Sequence, residues 1–255
     1  MDMWKSAGKS MLASFFVCFG LMPTTQNVMA QSGWNHSVDI YILFSEINGT
    51  IGIGPIETEM EVTFSDLIEN LDGGFLTSYR GETEQFAIAG DLIWLRLKKE
   101  GTSDSGLLKA GMTMNQLIVE LDGMYRLTSG LEIYAGGRYW SIDTEIVASG
   151  EFEGGETSTG EITENWIDPI IGVRGVLPLS TKVRLIGRGD VGGFGIGSDF
   201  AWHLAALVQW RLGNLVSALG GYRILDAKYE SGTGPDLFLM DVTIQGPMAG
   251  VTLSF

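Results

Sequence analysis

Cysteine is almost absent from this chain of 255 residues, because its single cysteine, Cys18, lies within the first thirty. The remainder therefore has no thiol for a disulfide or a cysteine metal site. Histidine is nearly as scarce: only His36 and His203 offer an imidazole for acid–base chemistry. Proline occurs 6 times against 36 glycines, which excludes a proline-rich linker.

Basic residues are also in deficit, with 16 Lys and Arg against 31 Asp and Glu and a formal net charge of −15. Nucleic-acid binding requires clustered basic side chains to neutralise phosphates, and no basic stripe is present. The sequence therefore excludes nucleic acid as a partner. With 45% hydrophobic and 18% charged residues, the chain is too apolar to be disordered.

No hydrophobic run reaches the ~20 residues that a membrane-spanning helix needs. The longest apolar stretch, MLASFFVCFGLM, follows Lys5 and Lys9 and precedes Val28-Met29-Ala30. This order predicts an export signal peptide at residues 1–30, cleaved after a small residue, and a mature domain at 31–255. An uncleaved anchor is the less favoured alternative, and the place of Cys18 argues against a lipoprotein.

The remaining chain alternates apolar and polar residues with a period of two. In LEIYAGGRYW, Leu131 and Ile133 share one face, while Glu132, Tyr134 and Arg138 share the other. The same alternation occupies residues 116–127, 182–191 and 201–212. A period of two predicts β-strands with one apolar and one polar face.

Two features favour a barrel whose apolar face meets lipid over a soluble sandwich, which also alternates. The strands are about ten residues or longer, and about 9–11 residues cross a bilayer at a tilt. Aromatic rings also stand near the ends of the apolar faces, as they do at membrane interfaces. The predicted interface residues are Trp94, Tyr125, Tyr139, Trp202 and Trp210.

The fold class predicted is all-β, an antiparallel transmembrane barrel of about ten strands, with eight or twelve as alternatives. Short turns at 80–83, 127–130, 178–182 and 212–214 alternate with longer acidic or glycine-rich links, as in outer-membrane barrels. Residues 47–72 are ambiguous: they form a hairpin and helix in an outer loop, or a plug. Ser65, followed by Asp66 and Glu69, predicts a short capped helix near 65–71.

The glycine-rich stretch DVGGFGIGSD, residues 190–199, resembles a phosphate cradle. Such a loop must open into a helix that holds the anion. The segment that follows, FAWHLAALVQWRL, alternates as a strand. The stretch is therefore predicted to be an outer loop and not a nucleotide site.

The polar faces carry both signs of charge, which predicts an ion-pair network in a narrow lumen, with a path for polar solutes as the alternative. Its predicted members are Asp91, Glu120, Asp122, Arg126, Glu132, Arg138, Asp168, Arg174, Arg184, Arg188, Asp190, Arg211 and Arg223. The one candidate catalytic set is His203 with Ser198 or Asp199. Because no catalytic motif accompanies it, we predict no enzyme, and no metal site or cofactor.

The chain ends VTLSF, which resembles the C-terminal strand signal of Gram-negative outer-membrane barrels. Longer stretches, including FSDLIENLDGGF, WIDPIIGVRG and GPMAGVTLSF, resemble an uncharacterised proteobacterial outer-membrane barrel family, similar to OmpA-like and OmpW-like barrels. The resemblance implies outer-membrane residence, contact with lipid and lipopolysaccharide, and assembly machinery that reads Phe255. The expected role is structural or surface-interacting, with a narrow channel as the alternative and a lipid hydrolase a weaker one.

Overall fold

A computed structural model of the protein describes residues 33–102, 108–150 and 157–255. The predicted signal peptide lies outside these residues, as do parts of two predicted outer links. The strands are β1 Asn35–Leu43, β2 Glu46–Ile53, β3 Ile56–Val62, β4 Leu71–Glu82, β5 Phe86–Thr102, β6 Leu108–Thr128, β7 Leu131–Gly150, β8 Thr157–Pro178, β9 Val183–Gly192, β10 Phe200–Arg211, β11 Val216–Ser231 and β12 Phe238–Ser254. The described residues also form an α-helix, α1 Phe64–Glu69, and a 3₁₀ turn, Gly234–Asp236.

The strands close into an antiparallel barrel. Consecutive strands from β4 to β12 pair with one another, β1 pairs with β4, and β1 pairs with β12 to close the sheet. The described residues form a wall with ten strand positions. Twelve strands are counted because two of these positions are each occupied by two shorter strands, one by β1 and β2 and the other by β3 and β4. The prediction of an antiparallel barrel of about ten strands with a short helix is confirmed. Among the described residues, no helix is long and apolar enough to cross a membrane.

The two positions that hold two strands each account for residues 47–72, whose structure the sequence left ambiguous. β1 and β2 pair with successive parts of β12 in one register, since Leu43 faces Met248 and Glu46 faces Gln245. β3 returns beside β2 and β4 continues beside β1, with α1 inserted between them. Residues 47–62 therefore form a hairpin, as one alternative predicted, but the hairpin extends the wall and is neither an outer loop nor a plug.

The helix begins at a cap that sequence analysis misplaced by two residues. Thr63, not Ser65, is the N-cap: its side chain accepts from the Asp66 amide, and the Asp66 carboxylate accepts from the Thr63 amide. Hydrogen bonds donated by Thr63 hold the pKa of Asp66 below its usual range. Leu67 is buried against the barrel's apolar core, so this short helix is held by its cap and by one anchoring side chain.

The barrel has a turn end and a loop end. At the turn end lie the start of β1 and the end of β12, where His36 and Phe255 exchange backbone hydrogen bonds of 2.9 Å, and the connections of two to four residues after β4, β6, β8 and β10. The strands β6, β7 and β8 contain 21, 20 and 22 residues. Since about 9–11 residues cross a bilayer, roughly half of each projects beyond it.

Side chains alternate between the two faces of the wall along most of each strand. Leu121 is 67% exposed on the outside, while its neighbour Glu120 is 1% exposed inside. Leu204 and Val208 point outward in the same way, and His203 and Gln209 are buried. The apolar face is thus external, and the lumen holds most of the buried polar groups.

Candidate functional site: a packed lumen

The centre of the lumen is an ion-pair layer formed by Glu120, Asp122, Arg138, Arg188, Asp190 and His203. Arg138 donates to the Glu120 and Asp190 carboxylates at 2.8 Å each. Arg188 donates to Glu120 at 2.7 Å and to Asp122 at 3.2 Å. Arg138 therefore bridges acids on β6 and β9, and Arg188 reaches from β9 to two acids on β6, so both arginines connect two strands that share no backbone ladder.

Tyr134 and His203 complete this layer. The Tyr134 hydroxyl donates to Asp190 at 2.8 Å, the guanidinium of Arg188 lies 4.6 Å from the Tyr134 ring centroid, and His203 Nδ1 is 3.0 Å from Asp190. The tyrosine ring lies against Gly172, where a Cβ atom would come 2.5 Å from Tyr134 Cζ. Glycine is required here because the ring crosses the neighbouring strand at close approach.

A second group of charges lies at the turn end. Glu132 accepts from Arg80 at 2.7 Å, from Arg126 at 3.0 Å and from Arg174 at 3.0 Å. Glu82 accepts from Arg80 and Arg126. Sequence analysis missed Arg80 and Glu82 because it assigned residues 80–83 to a turn, whereas β4 continues to Glu82.

A third group joins distant parts of the chain. Arg223 donates to the Asp91 carboxylate at 3.1 Å and to the Tyr41 hydroxyl at 3.0 Å, and Tyr41 in turn donates to Asp91 at 2.9 Å. Sequence analysis did not single out Tyr41, although its odd-numbered position in β1 places it on the inner face together with Asp39.

Three residues of the predicted network lie elsewhere. Asp168 is surrounded by indole and serine donors and not by arginines. Arg184 hydrogen-bonds Gln209, an uncharged partner. Arg211 is exposed at the turn end. The alternation predicted that these side chains point inward, but the depth of each along the barrel depends on strand stagger, which alternation does not encode.

Above the ion-pair layer, towards the loop end, lies an indole layer formed by Trp140, Trp166, Asp168, Ser198 and Tyr229. The two indole rings are stacked with centroids 5.5 Å apart, and Trp166 stacks on Tyr229 at 3.9 Å. Both indole N–H groups point to Asp168 Oδ2, at 3.0 and 3.4 Å. Aliphatic side chains, including Ile93, Ile118 and Leu225, surround the rings, so this part of the lumen is an apolar core.

The glycine-rich loop at residues 193–199 is anchored to the indole layer. The Ser198 amide donates to Asp168 Oδ1 at 2.6 Å, and its hydroxyl donates to Asp168 Oδ2 at 2.9 Å. Gly193 and Gly195 have φ angles of 83° and 72°, a region that favours glycine. The loop joins two strands at the loop end, as predicted. Its glycines shape a turn that inserts Ser198 into the lumen.

The one buried group with metal-ligand chemistry among the described residues is Glu120, Asp190 and His203, whose ligand atoms lie within 4.8 Å of one another. Arg138 and Arg188 already bond both carboxylates. Two guanidinium cations at this position disfavour a divalent ion by charge repulsion. The set does not fit a metal.

The candidate catalytic residues have separate partners. His203 Nδ1 contacts Asp190, and His203 Nε2 has no hydrogen-bond partner among the described residues. The Ser198 hydroxyl is engaged with Asp168 and Trp166, and Asp199 is exposed. Because a nucleophile must hydrogen-bond its base, these side chains do not form a nucleophile–base pair.

Below the ion-pair layer, towards the turn end, the lumen opens into a chamber of about 120 Å³. A wider mouth of about 470 Å³ follows at the turn end, lined by polar residues such as His36, Lys182 and Asn214. Arg184, Gln209 and Ser37 line both spaces. Gln209 accepts from Arg184 and donates to Thr252 at 2.7 Å, so this hydrogen-bonded row marks the boundary between chamber and mouth.

The five predicted interface aromatics are placed on the outer face. Trp210 is 55% exposed, Trp94 and Tyr125 are also exposed, and Trp202 and Tyr139 are partly exposed. Phe255, the predicted assembly signal, is exposed at the turn end with its ring stacked on His36 at 5.8 Å. Recognition of this ring by assembly machinery stays a prediction.

No protein-family model matches the chain, and no curated protein matches it in sequence. The structure is similar to the outer membrane protease OmpT from Escherichia coli, with a TM-score of 0.51 and 9% identity over 87% of this chain and 97% of that one. Other similar structures are the translocator domain of the autotransporter NalP from Neisseria meningitidis (TM-score 0.43, 14% identity, 89% and 90% covered) and Ail of Yersinia pestis (TM-score 0.37, 12% identity, 88% and 99% covered).

At such low identity these likenesses bear on the fold alone, because one fold supports many functions. The closed antiparallel barrel with an apolar exterior, which shares its fold with the first of these structures, is that of a bacterial outer-membrane β-barrel protein.

Proposed function

We propose that this outer-membrane barrel is a non-conducting scaffold that presents its loop end at the cell surface. The observation that carries the proposal is that two successive layers of side chains fill the lumen between the chamber and the loop end. Arg138 and Trp140 are both 0% exposed, and they belong to two successive layers of different chemistry. A hydrated ion would have to displace both layers to pass.

The two layers block different solutes. The ion-pair layer holds charges that are already neutralised by partners at hydrogen-bond distance, so an entering ion would break pairs that are costly to separate. The indole layer is apolar apart from the Asp168 cluster and is packed with aliphatic side chains, which excludes water. Together they support the sealed interior and disfavour the narrow-channel alternative.

The long strands support a surface role. β6, β7 and β8 extend well past the length that a bilayer requires, and the indole layer gives this projecting part an apolar core. A rigid projecting wall suits contact with a partner, because preorganised surfaces lose less entropy on binding. A lipid hydrolase or protease is disfavoured, because His203 is paired with Asp190 and lies 2% exposed in the lumen.

Purified barrel reconstituted into planar bilayers is expected to show no conductance steps above the lipid baseline. The reason is the double seal, and the measurement is single-channel recording at low and high salt. The same protein preparation must show heat-modifiable gel mobility after reconstitution, so that an absence of conductance is recorded from folded, inserted barrels. Reproducible conductance steps from folded, inserted protein would overturn the sealed scaffold and favour the channel.

A further inference from the structure

The hairpin of β2 and β3 leaves a free strand edge at the loop end of the barrel. β3 pairs with β2 along its whole length, from Ile56 opposite Ile53 to Val62 opposite Ile47. On its other side, β3 has no strand partner among the described residues, and β5 pairs with β4 only as far as Leu97. The seven residues of β3 therefore form an unpaired edge in a wall that is otherwise closed.

The free edge carries backbone groups directed away from β2. The two strands are joined by a two-residue turn in which Gly54 has a φ angle of 57°. Such a turn is closed by a hydrogen bond between the residues that flank it, and bonded pairs alternate with non-bonded pairs along an antiparallel ladder. The N–H and C=O groups of Glu57, Glu59 and Glu61 therefore point to the free side.

The two faces of β3 differ in chemistry. Met60 and Val62 lie on the inner face and pack against the apolar core. Glu57, Glu59 and Glu61 alternate with them, so they lie on the outer face, where all three are exposed. None of these glutamates forms an ion pair within the part of the chain that the structure describes. The free edge is thus negatively charged outside and apolar inside.

We propose that this edge binds an extended basic segment of a partner protein as an added β-strand. Strand addition to an exposed edge supplies main-chain hydrogen bonds, and alternate side chains supply specificity. Lysine or arginine at every second position of the segment would lie opposite the three glutamates, and opposite charges directly across two strands stabilise the pair. Apolar residues between them would face inward and extend the core.

A second copy of this chain does not suit the edge. Two β3 strands side by side would place glutamates opposite glutamates, and like charges across a ladder are destabilising. Charges on an edge strand also prevent association of identical chains. A basic strand is therefore the partner that the edge accepts. This inference rests on the proposed surface role, because a partner outside the cell reaches only the loop end.

The test measures binding of a labelled peptide of seven residues, the length of β3, in which lysine and valine alternate. The full barrel is folded in non-ionic detergent at low ionic strength, and binding is followed by fluorescence polarisation. Wild type is expected to bind this peptide at least about tenfold more tightly than a peptide of the same composition with contiguous lysines, equivalent to about 1.4 kcal/mol. A peptide that alternates glutamate with valine is expected not to bind.

Hydrogen exchange identifies the edge that the peptide occupies. The amides of Glu57, Glu59 and Glu61 are expected to exchange fast in the free barrel, because they have no strand partner, and to become protected when the alternating lysine peptide is added. The contiguous peptide is expected to leave their exchange unchanged.

Substitutions at Glu59 separate charge from backbone pairing. Glu59→Gln removes one carboxylate and is expected to weaken binding of the lysine peptide about threefold. Glu59→Pro removes the same carboxylate together with the N–H on the free side, so it is expected to weaken binding at least about tenfold further. Glu59→Lys places like charges opposite each other and is expected to weaken binding about tenfold. This variant keeps the test valid if the proline variant does not fold.

Glu145→Lys is the matched control, because Glu145 is exposed on β7, which is paired on both sides. The proposal is overturned if wild type binds both lysine peptides equally, if a folded Glu59→Pro barrel binds as tightly as Glu59→Gln, or if Glu145→Lys weakens binding as much as Glu59→Lys. It is also overturned if the three glutamate amides of the free barrel exchange as slowly as those of β7. Conductance has no part in these outcomes, so a failure of peptide binding does not contradict the sealed interior.

Discussion

Replacing Arg138 with methionine is expected to lower the free energy of unfolding by about 3–5 kcal/mol. Arg138 is fully buried and donates to both Glu120 and Asp190. Methionine fills much of the same space but leaves two carboxylates with less compensating charge. The decrease in the free energy of unfolding is therefore electrostatic in origin, and it is larger than the contribution of a surface ion pair to stability. Urea unfolding of the barrel in lipid vesicles, followed by tryptophan fluorescence, measures it.

Two variants separate charge from packing in this result. Arg96→Met removes an arginine of an exposed pair with Asp72, and its effect is expected to stay within about 1 kcal/mol. The double variant Arg138→Met, Glu120→Gln removes one charge of each sign and is expected to recover part of the loss, because replacing a whole buried pair is far less costly than removing one partner. Equal stability of Arg138→Met and wild type would contradict the ion-pair layer.

Replacing Asp168 with leucine is expected to cost about 3 kcal/mol or more, and to release the loop at residues 193–199. The Asp168 carboxylate accepts from both indoles of the indole layer and from the amide and hydroxyl of Ser198. Leucine removes this acceptor from all four donors. The Trp166 indole keeps its bond to the Ser198 hydroxyl, and each donor left without a partner costs about 1–3 kcal/mol. Some of these donors can turn towards solvent at the loop end, so the total destabilisation is smaller than the sum of the individual costs.

Hydrogen exchange distinguishes this local effect from global loss of stability. The Ser198 amide is expected to exchange much faster in Asp168→Leu, while amides of the central strand β7 keep their protection. Asp199→Asn, one residue along the same loop and exposed, is the control and is expected to shift stability by no more than about 0.5 kcal/mol. If Ser198 exchanged equally slowly in Asp168→Leu and wild type, the anchoring of the loop would be refuted.

The sequence was sufficient to predict the barrel and the orientation of most side chains, because alternation is a local property of the chain. In LEIYAGGRYW it placed Glu132, Arg138 and Trp140 on one face, and all three are buried in the lumen. The short helix was also recognisable, although Thr63 and not Ser65 begins it. Local patterns predict elements, and their ends are less well defined.

What the sequence did not provide is the depth of each side chain in the lumen. Asp168 and Arg138 alternate in the same way, yet one binds indoles and the other carboxylates. Their layer is determined by the stagger of the strands around the barrel. The indole layer was not predicted: alternation placed Trp140 on the polar face but did not indicate that it meets Trp166, which lies in register with it on the inner face of the neighbouring strand.

The apolar face of the wall meets acyl chains, while the side chains in the lumen are separated from lipid. Brominated phospholipids quench the fluorescence of tryptophans that contact the acyl chains. Variants with a single tryptophan, inserted into vesicles of these lipids, therefore show whether that tryptophan lies on the outer face of the wall. The account predicts strong quenching of Trp210, which is 55% exposed outside, and very weak quenching of Trp140, which is 0% exposed inside. Quenching of Trp140 equal to or greater than that of Trp210 would contradict it.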